Sequence, residues 1–290
     1  MSDLKRICIG SANFGSNYGY KNLKINKKEI LKIFKFLKKK KINYIDTAIN
    51  YKNSEKVIGK YNRNFQIITK IPYVPKSEKN PKKWIEKSIS ESLKNLKSKK
   101  LYGVLFHHPP YKYSKKDFFL IIKYLEQLRK KKIIKKIGIS VYTLEELKKC
   151  YKIYNFQIVQ FPFNIFDNRI VKSRFILSLK KDNVELHARS IFLQGLLLED
   201  SKYFEKKFKT HKKKIILFEK WLKKNNLNKL QACLKFAFKS KIIDKFVIGI
   251  SKYDQITEII RILKKKIKLD SLPNELTNIS PNLLNPKSWN

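Results

Sequence analysis

The fold of this chain is decided at residues 42–59, INYIDTAINYKNSEKVIG. The apolar run from Ile42 to Ile45 predicts a buried strand, and the strand is followed by the carboxylate Asp46. Tyr51 comes five residues later, and Ser54 then opens a short segment with helical periodicity. A strand that ends in a polar cluster before a helix is typical of α/β folds, which keep their chemistry at that edge.

Apolar runs similar to this one recur along the whole chain. Most of them are nearly continuous, as expected of parallel strands that are covered on both faces. The segments between them show the periodicity of amphipathic helices. Eight strands are predicted, at residues 6–9, 42–45, 66–69, 102–106, 136–139, 157–160, 184–187 and 245–248.

Start signals mark several of the predicted helices. Three pairs have the spacing of a capping box, in which side chains satisfy free backbone N–H groups of the first helical turn. These pairs are Asn26 with Glu29, Ser114 with Asp117, and Thr143 with Glu146. Further helices are predicted from periodicity at residues 82–96, 168–181, 212–224, 229–239 and 253–265.

The order of these elements predicts the architecture. Eight strand–helix units follow one another without a linker rich in Gly, Ser or Pro, which favours a single (β/α)8 TIM barrel over residues 1–268. A doubly wound open sheet is the alternative. Residues 269–290 are rich in Asn and Pro and lack periodicity, so we expect a tail that packs over one end of the barrel.

The net charge of +44 suggests a nucleic-acid partner at first sight. The excess is nearly all lysine, however, and its runs at residues 38–41, 97–100, 130–132 and 264–266 lie at the ends of helical patterns. Cations there complement the helix dipole and stay solvated. We therefore expect a solvated face and no specific nucleic-acid partner.

Other features indicate a cytoplasmic protein. The first residues lack the apolar segment of a signal peptide, and no apolar run approaches the roughly 18 residues that a membrane span needs. Cys8, Cys150 and Cys233 are far apart, show no metal-ligand spacing and are expected to be buried thiols in a reducing compartment.

Polar residues collect where the predicted strands end. In a (β/α)8 barrel the carboxyl ends of all strands face the active site. The residues at those ends are Asp46, Lys70, His107, Ser140, Gln160, Arg189, Ser190, and the segment from Gly249 to Ser251. Strand interiors are almost wholly apolar, so the sequence predicts the functional site at this end of the barrel.

Four of these polar residues suit one reaction, the protonation of a carbonyl oxygen while a hydride reaches its carbon. A free Tyr has a pKa of about 10, and a nearby ammonium lowers it. Tyr51 and Lys70 would form such a pair, Asp46 would hold the lysine, and His107 would donate a hydrogen bond to the substrate. Each residue alone also has a structural interpretation: Asp46 as a helix N-cap, Tyr51 as a packing residue and His107 as a core histidine.

Several motifs together resemble the aldo-keto reductase family. They are Asp46-Thr47-Ala48 with Tyr51, Ser54-Glu55 with Ile58-Gly59, Ile68-Thr69-Lys70, Phe106-His107-His108-Pro109, Gly138-Ile139-Ser140, and Gln160-Phe161-Pro162-Phe163-Asn164. The resemblance implies a (β/α)8 barrel and NAD(P)H-dependent reduction of a carbonyl. It also implies that Tyr51 is the general acid, supported by Lys70, Asp46 and His107, with His108 at the variable position of His-x-Pro.

The same resemblance implies a cofactor site. Ser140 and Gln160 would hold the nicotinamide carboxamide, although Val141 stands where many members have Asn, and the motif of Phe163 often packs an aromatic ring near the cofactor. A loop over the pyrophosphate would include Arg189, Ser190 and Gly195, and a phosphate-binding turn would include Gly249, Ser251 and Lys252. Lys252 would meet a 2′-phosphate, which favours NADP(H) over NAD(H).

The substrate is expected to be a small carbonyl compound. The segments Leu101-Tyr102-Gly103 and His187-Ala188-Arg189-Ser190 look like a branch of the family associated with surface-sugar pathways, which suggests a sugar or sugar derivative. Residues 13–18 would border the substrate, and Tyr18 and Trp289 are candidate specificity residues. Gly10 and Gly15 do not form a phosphate loop, since the lysine that this motif needs is missing.

Two other functions remain open from the residues. Lys70 suits a Schiff base in an aldolase-like barrel. A barrel that binds the cofactor without catalysis is the second alternative.

Overall fold

Eight parallel strands close into a barrel in the computed structural model of the chain. Each strand pairs with the next along the sequence, and β8 pairs with β1. The predicted (β/α)8 barrel is confirmed, and the open-sheet alternative is wrong. The strands are β1 Ile7–Gly10, β2 Tyr44–Asp46, β3 Gln66–Ile71, β4 Leu101–Phe106, β5 Ile134–Ser140, β6 Ile158–Pro162, β7 Glu185–Arg189 and β8 Lys245–Gly249.

Helices follow the strands around the outside. The structure describes residues 3–15, 25–62, 64–75, 77–199, 212–267, 269–277 and 284. Within these ranges the helices are α1 Lys27–Lys39, α2 Ser54–Tyr61, α3 Pro81–Asn95, α4 Lys115–Lys130, α5 Leu144–Tyr151, α6 Arg174–Lys181, α7 Lys212–Lys224, α8 Lys229–Lys239 and α9 Tyr253–Lys264. No helix in these ranges is long and apolar enough to cross a membrane.

Of the two hydrogen bonds that make a capping box, the first is confirmed at all three predicted helix starts. The side chains of Asn26, Ser114 and Thr143 each accept a hydrogen bond from the backbone N–H three residues on, at 2.9, 3.0 and 3.1 Å. The return bond of the capping box is replaced at α1, because Glu29 Oε2 accepts from the backbone N–H of Tyr253 at 2.6 Å instead. Glu29 thereby ties α1 to the first residue of α9.

The helix predicted at residues 168–181 is wrong over residues 168–173. It begins only at Arg174, where the Ser173 side chain accepts from the N–H of Ile176 at 3.2 Å. Upstream, Asn164 and Asp167 exchange backbone hydrogen bonds, and the Asn164 side chain accepts from Phe166 N–H at 2.9 Å. These local bonds of polar side chains compete with helix formation.

The main apolar core lies between the barrel and the helices, and a second apolar cluster lies beside it. The second cluster includes Phe218 and Trp221 from α7, and it buries Leu276 and Leu284 of the tail. Trp221 Nε1 also donates to the carbonyl of Ser271 at 3.1 Å. These parts of the tail pack on the α7–α8 side, while the division at residue 268 stays a prediction.

Arg6 secures the seam where the barrel closes. Its side chain donates to the carbonyl oxygens of Phe238 at 3.0 Å and of Ile243 at 3.0 and 3.2 Å. Its guanidinium also lies 4.8 Å from the ring centre of Phe246 on β8. Arg6 directly precedes β1, and the carbonyls that it binds precede β8. These charge-assisted hydrogen bonds of a buried cation therefore stabilise the pairing of β1 with β8.

The three cysteines are buried and free, as expected from the sequence. Burial raises the pKa of the Cys150 and Cys233 thiols to about 12, and it also raises the pKa of Cys8. The thiolate is the reactive form of cysteine, so these side chains are inert packing groups.

Candidate active site

The polar strand ends converge on one cavity of about 1020 Å³ at the carboxyl end of the barrel. Its lining includes most of the predicted site residues: Asp46, Tyr51, Lys70, His107, Ser140, Gln160, Arg189, Ser190, Gly195, Gly249 and Ser251. Two predicted residues do not line it. Phe163 is buried and stacks on Phe236 at 5.4 Å, and Lys252 is exposed outside the cavity.

A buried ion pair forms the floor of the cavity. Lys70 Nζ donates to Asp46 Oδ1 at 2.5 Å and to the carbonyl of Thr47 at 2.9 Å. The second carboxylate oxygen of Asp46 accepts from Gln160 Nε2 at 2.7 Å. Because both charges are almost fully buried, their orientation is fixed by these bonds, and neither charge is screened by solvent.

Tyr51 lies above this pair. The Lys70 ammonium is 5.4 Å from the centre of its ring, and the ring of His107 is 5.9 Å away in an edge-on arrangement. Burial raises the pKa of Tyr51 above its ordinary value and Asp46 raises it further, whereas Arg189 lowers it. This differs from the expectation that Lys70 lowers the pKa, because burial is the largest influence and Asp46, the ion-pair partner of Lys70, acts in the same direction.

His107 is oriented by a residue that the sequence analysis missed. Its Nδ1 lies 3.3 Å from Oδ1 of Asn50, which also lines the cavity. The partner of one ring nitrogen determines which nitrogen carries the proton in a neutral imidazole. Asn50 occupies a variable position of the Asp46–Tyr51 motif, so no motif could have identified it.

Arg189 is held at the end of β7. Its Nη2 donates to the carbonyl of Val141 at 3.2 Å, and its guanidinium lies 4.3 Å from the ring centre of Tyr142. Tyr142 lines the cavity and was also missed, because it lies just beyond the Ser140 motif. The arrangement places a fixed positive charge at the cavity wall.

The loop after β7 has an unusual backbone. Ser190, Leu193 and Gln194 have positive φ angles of 59°, 47° and 55°, and Gly195 follows at 96°. Left-handed conformations are costly for residues other than glycine and tend to cluster at functional sites. This strained loop forms one wall of the cavity.

The inner end of the cavity contains the two residues expected to hold a carboxamide group. Ser140 and Gln160 are neighbours in the register of β5 and β6. The Oε1 of Gln160 is buried and has no hydrogen-bond partner among the described residues. A buried acceptor of this kind needs a donor, and a carboxamide N–H group would supply one.

The outer end of the cavity reaches the start of α9. A Cβ atom added at Gly249 would meet nothing within 4 Å, so this backbone borders open space. The backbone N–H groups of Ser251 and Lys252 both donate to Gln255 Oε1, at 2.7 and 3.2 Å. Gln255 and Glu258 line this end and were not predicted. Ser16 and Tyr18 of the 13–18 segment, and Trp289, lie outside the described residues.

Comparison with known proteins identifies the family. The profile of the Aldo/keto reductase family matches residues 6–274. The chain belongs to the aldo/keto reductase family. Membership supports an oxidoreductase that acts on small carbonyl compounds, and members of the family use NAD(P)H.

Solved aldo-keto reductase structures share the fold. The chain is 18% identical to aldo-keto reductase AKR11C1 from Bacillus halodurans in its holo form, over 90% of this chain and 87% of that one, with a TM-score of 0.71. It is 20% identical to glycerol dehydrogenase AKR11B4 from Gluconobacter oxydans, over 93% and 88%, with a TM-score of 0.68. These identities show likeness of fold alone. No curated protein sequence matches the chain.

Proposed function

We propose that the protein reduces an aldehyde or ketone to an alcohol, with hydride from NAD(P)H and a proton from Tyr51. The observation that carries the proposal is the convergence of Tyr51, His107 and the buried Asp46–Lys70 pair on one cavity. The test is turnover by purified protein, followed as loss of reduced nicotinamide with a panel of carbonyl compounds. Failure to oxidise NADPH or NADH with any of them would contradict the proposal.

The chain's own groups perform the binding and the proton transfer. The bound nicotinamide supplies hydride to the carbonyl carbon. Tyr51 donates its phenolic proton to the carbonyl oxygen, and His107 fixes that oxygen by a hydrogen bond. Lys70 and Asp46 keep the base of the cavity rigid and neutral, and Arg189 opposes the negative charge that develops on the tyrosine oxygen. The phenol then regains its proton from solvent.

The remaining cavity residues would hold the cofactor. Ser140 and Gln160 would bind the carboxamide, because the free Oε1 of Gln160 matches its N–H group. Phe163 would support this end from behind through its stack on Phe236. The phosphates would lie along the strained loop and the β8 turn, against Arg189, Ser190, Gly195, Gly249 and Ser251.

A preference for NADP(H) depends on Lys252, at the start of α9. We expect Lys252→Ala to raise the Kd of NADPH about five-fold, equivalent to about 1 kcal/mol for an exposed ion pair, and to leave NADH unchanged. Lys264→Ala, at the other end of α9, is the matched control. Equal effects on both nucleotides would contradict a 2′-phosphate contact. The Glu29 carboxylate opposes this preference, because it accepts from Tyr253 N–H and so places a negative charge at the start of α9, next to Lys252.

Asn50 is proposed as a positioning residue for His107. Asn50→Leu removes the partner of Nδ1 and should lower kcat/KM about five-fold, as expected for the loss of one hydrogen bond of about 1 kcal/mol. Asn50→Asp keeps an oxygen at the same place and should recover most of the activity. Steady-state kinetics of both variants with one aldehyde test this, and equal loss in both would contradict a role for the Asn50 oxygen as the partner of Nδ1.

A sugar or sugar derivative is proposed as the substrate. The support is the likeness of residues 101–103 and 187–190 to the sugar-associated branch, together with a structural neighbour that is a glycerol dehydrogenase. A panel that includes aldoses, keto-sugars and simple aldehydes tests this. Reduction of simple aldehydes alone would contradict it.

The Schiff-base alternative is disfavoured by the contacts of Lys70. A lysine attacks a carbonyl as the neutral amine, whereas the Lys70 ammonium donates to Asp46 and to the carbonyl of Thr47. Trapping of a substrate adduct on Lys70 with borohydride would restore this alternative. The cytoplasmic location and the absence of a specific nucleic-acid partner stay predictions.

A further inference from the structure

A second cavity lies at the opposite end of the barrel from the active site. It has a volume of about 810 Å³ and is formed by the segments that lead into β3, β4 and β5. The carboxyl ends of those strands form the catalytic cavity, so this one opens on the amino-terminal face. None of its lining residues belongs to the site already described.

Its lining is strongly basic. Six of the fourteen lining residues are cations and none is acidic; the cations are Lys97, Lys99, Lys100, Arg129, Lys132 and Lys135. The whole chain has 67 basic and 23 acidic residues in 290, so fourteen residues at the average composition would include about three cations and one carboxylate. The concentration of positive charge here therefore exceeds the general lysine excess of the chain.

Little of this charge is neutralised within the described part of the chain. Arg129 pairs with Glu126 at 2.8 Å. The Lys135 ammonium lies 5.2 Å from the centre of the Tyr102 ring, a contact that keeps its charge. A sphere of this volume is about 12 Å across, so at physiological salt, with a Debye length of about 8 Å, adjacent cations reinforce one another more than cations on opposite sides do.

The backbone under these cations is ordered by its own hydrogen bonds. Ser98 Oγ donates to the carbonyl of Lys100 at 2.7 Å, and Asn62 Nδ2 donates to the carbonyl of Leu96 at 2.9 Å. Lys97 and Lys132 have φ angles of 48° and 58°, at turns where glycine is usual. Lysine therefore occupies two rim turns at which its left-handed backbone conformation is less favourable than that of glycine.

The floor of the cavity is apolar and partly aromatic. Leu101, Tyr102 and Ile134 are buried there, and Phe65 is half-buried at the edge. An aromatic floor under a ring of cations suits a compact anion that also has a flat face. The absence of carboxylates from the lining excludes a metal cation as the ligand.

We propose that this basic cavity binds a small anion that carries several phosphate groups. Multiple charge-assisted hydrogen bonds from the lysines would hold the phosphate oxygens, and the Tyr102 and Phe65 rings would lie beneath. This site is independent of the reductase activity, and it gives the amino-terminal face a function of its own.

The test compares two variants with the same loss of charge. Lys97→Gln/Lys100→Gln/Lys132→Gln removes three cations from the cavity and keeps a polar side chain that is one atom shorter. Lys220→Gln/Lys223→Gln/Lys224→Gln removes three exposed cations from α7. Inorganic tripolyphosphate is titrated into wild type and both variants by calorimetry at physiological salt, and NADPH is titrated in parallel. Thermal unfolding checks that all three proteins are folded.

We expect one tripolyphosphate per chain, at least ten-fold weaker binding in the cavity variant, and less than two-fold change in the α7 variant. The Kd of NADPH should be the same in all three proteins. Equal weakening in both variants would show diffuse attraction and overturn the proposal, as would competition by NADPH or no binding to wild type. Cytidine triphosphate tests whether the ligand is a nucleotide or a free phosphate chain. Tighter binding than tripolyphosphate would show that the base contacts the aromatic floor, and equal binding would show that the cavity recognises only the phosphate chain.

Discussion

Tyr51→Phe is expected to lower kcat for carbonyl reduction by about 10²–10⁴-fold, the usual contribution of a general acid. The variant removes only the proton donor, while the ring stays between Lys70 and His107. Cofactor affinity should therefore be unchanged. Because burial raises the pKa of Tyr51, the wild-type phenol keeps its proton throughout the neutral range. Steady-state reduction of one aldehyde, with nucleotide fluorescence for cofactor binding, measures both quantities.

Tyr142→Phe is the matched control for this prediction. Tyr142 lines the same cavity and packs its ring against Arg189. Loss of its hydroxyl should leave kcat within about two-fold, since the ring contact with the guanidinium is kept. Similar losses in the two variants, or full activity in Tyr51→Phe, would show that Tyr51 does not supply the proton.

Lys70→Met is expected to lower the free energy of unfolding by about 3–5 kcal/mol, because it leaves the Asp46 carboxylate buried without its cation. Lys70 and Asp46 are 2% and 3% exposed, so water cannot replace the missing charge. Gln160 alone would continue to bind the carboxylate. Denaturant unfolding of the purified variant measures the loss, and activity should fall with it.

Two further variants separate the ion pair from simple packing. Asp46→Leu/Lys70→Met removes both charges and should recover much of the lost stability, since replacing a buried pair by apolar groups is often neutral or favourable. Lys82→Met breaks an exposed pair with Glu86 at 3.5 Å and should change stability by less than about 1 kcal/mol. If Lys70→Met is no more destabilising than Lys82→Met, the buried pair has no structural role.

The barrel, and the grouping of Asp46 with Lys70 at the floor of its site, could be predicted from the sequence. Asp46 and Lys70 each lie at the end of a short apolar run, and the register of β2 and β3 brings those ends together. Parallel strands place all such ends at one edge, so the spacing of polar residues along the chain was enough to group them.

Side-chain contacts between distant loops could not be predicted in this way. The contact of Asn50 with His107 and the bond from Tyr253 N–H to Glu29 join segments whose relative position depends on the closed barrel. The pKa of Tyr51 was expected to be lowered by Lys70, but burial and the Asp46 carboxylate raise it, and the extent of burial is a property of the packed structure. Lys252 was assigned to the cavity by its motif, yet its side chain is exposed.

The seam secured by Arg6 has a consequence for how quickly active protein forms. Its hydrogen bonds join residues 232 and 237 positions apart, and contacts of such long sequence separation form slowly because a large loop must close first. During synthesis β1, at residues 7–10, is made long before its partner β8, at residues 245–249. Gly10 and Gly249, paired at the top of this seam, both line the catalytic cavity. The complete active site therefore exists only after the last strand has docked, so the nascent chain cannot bind cofactor before the barrel is closed.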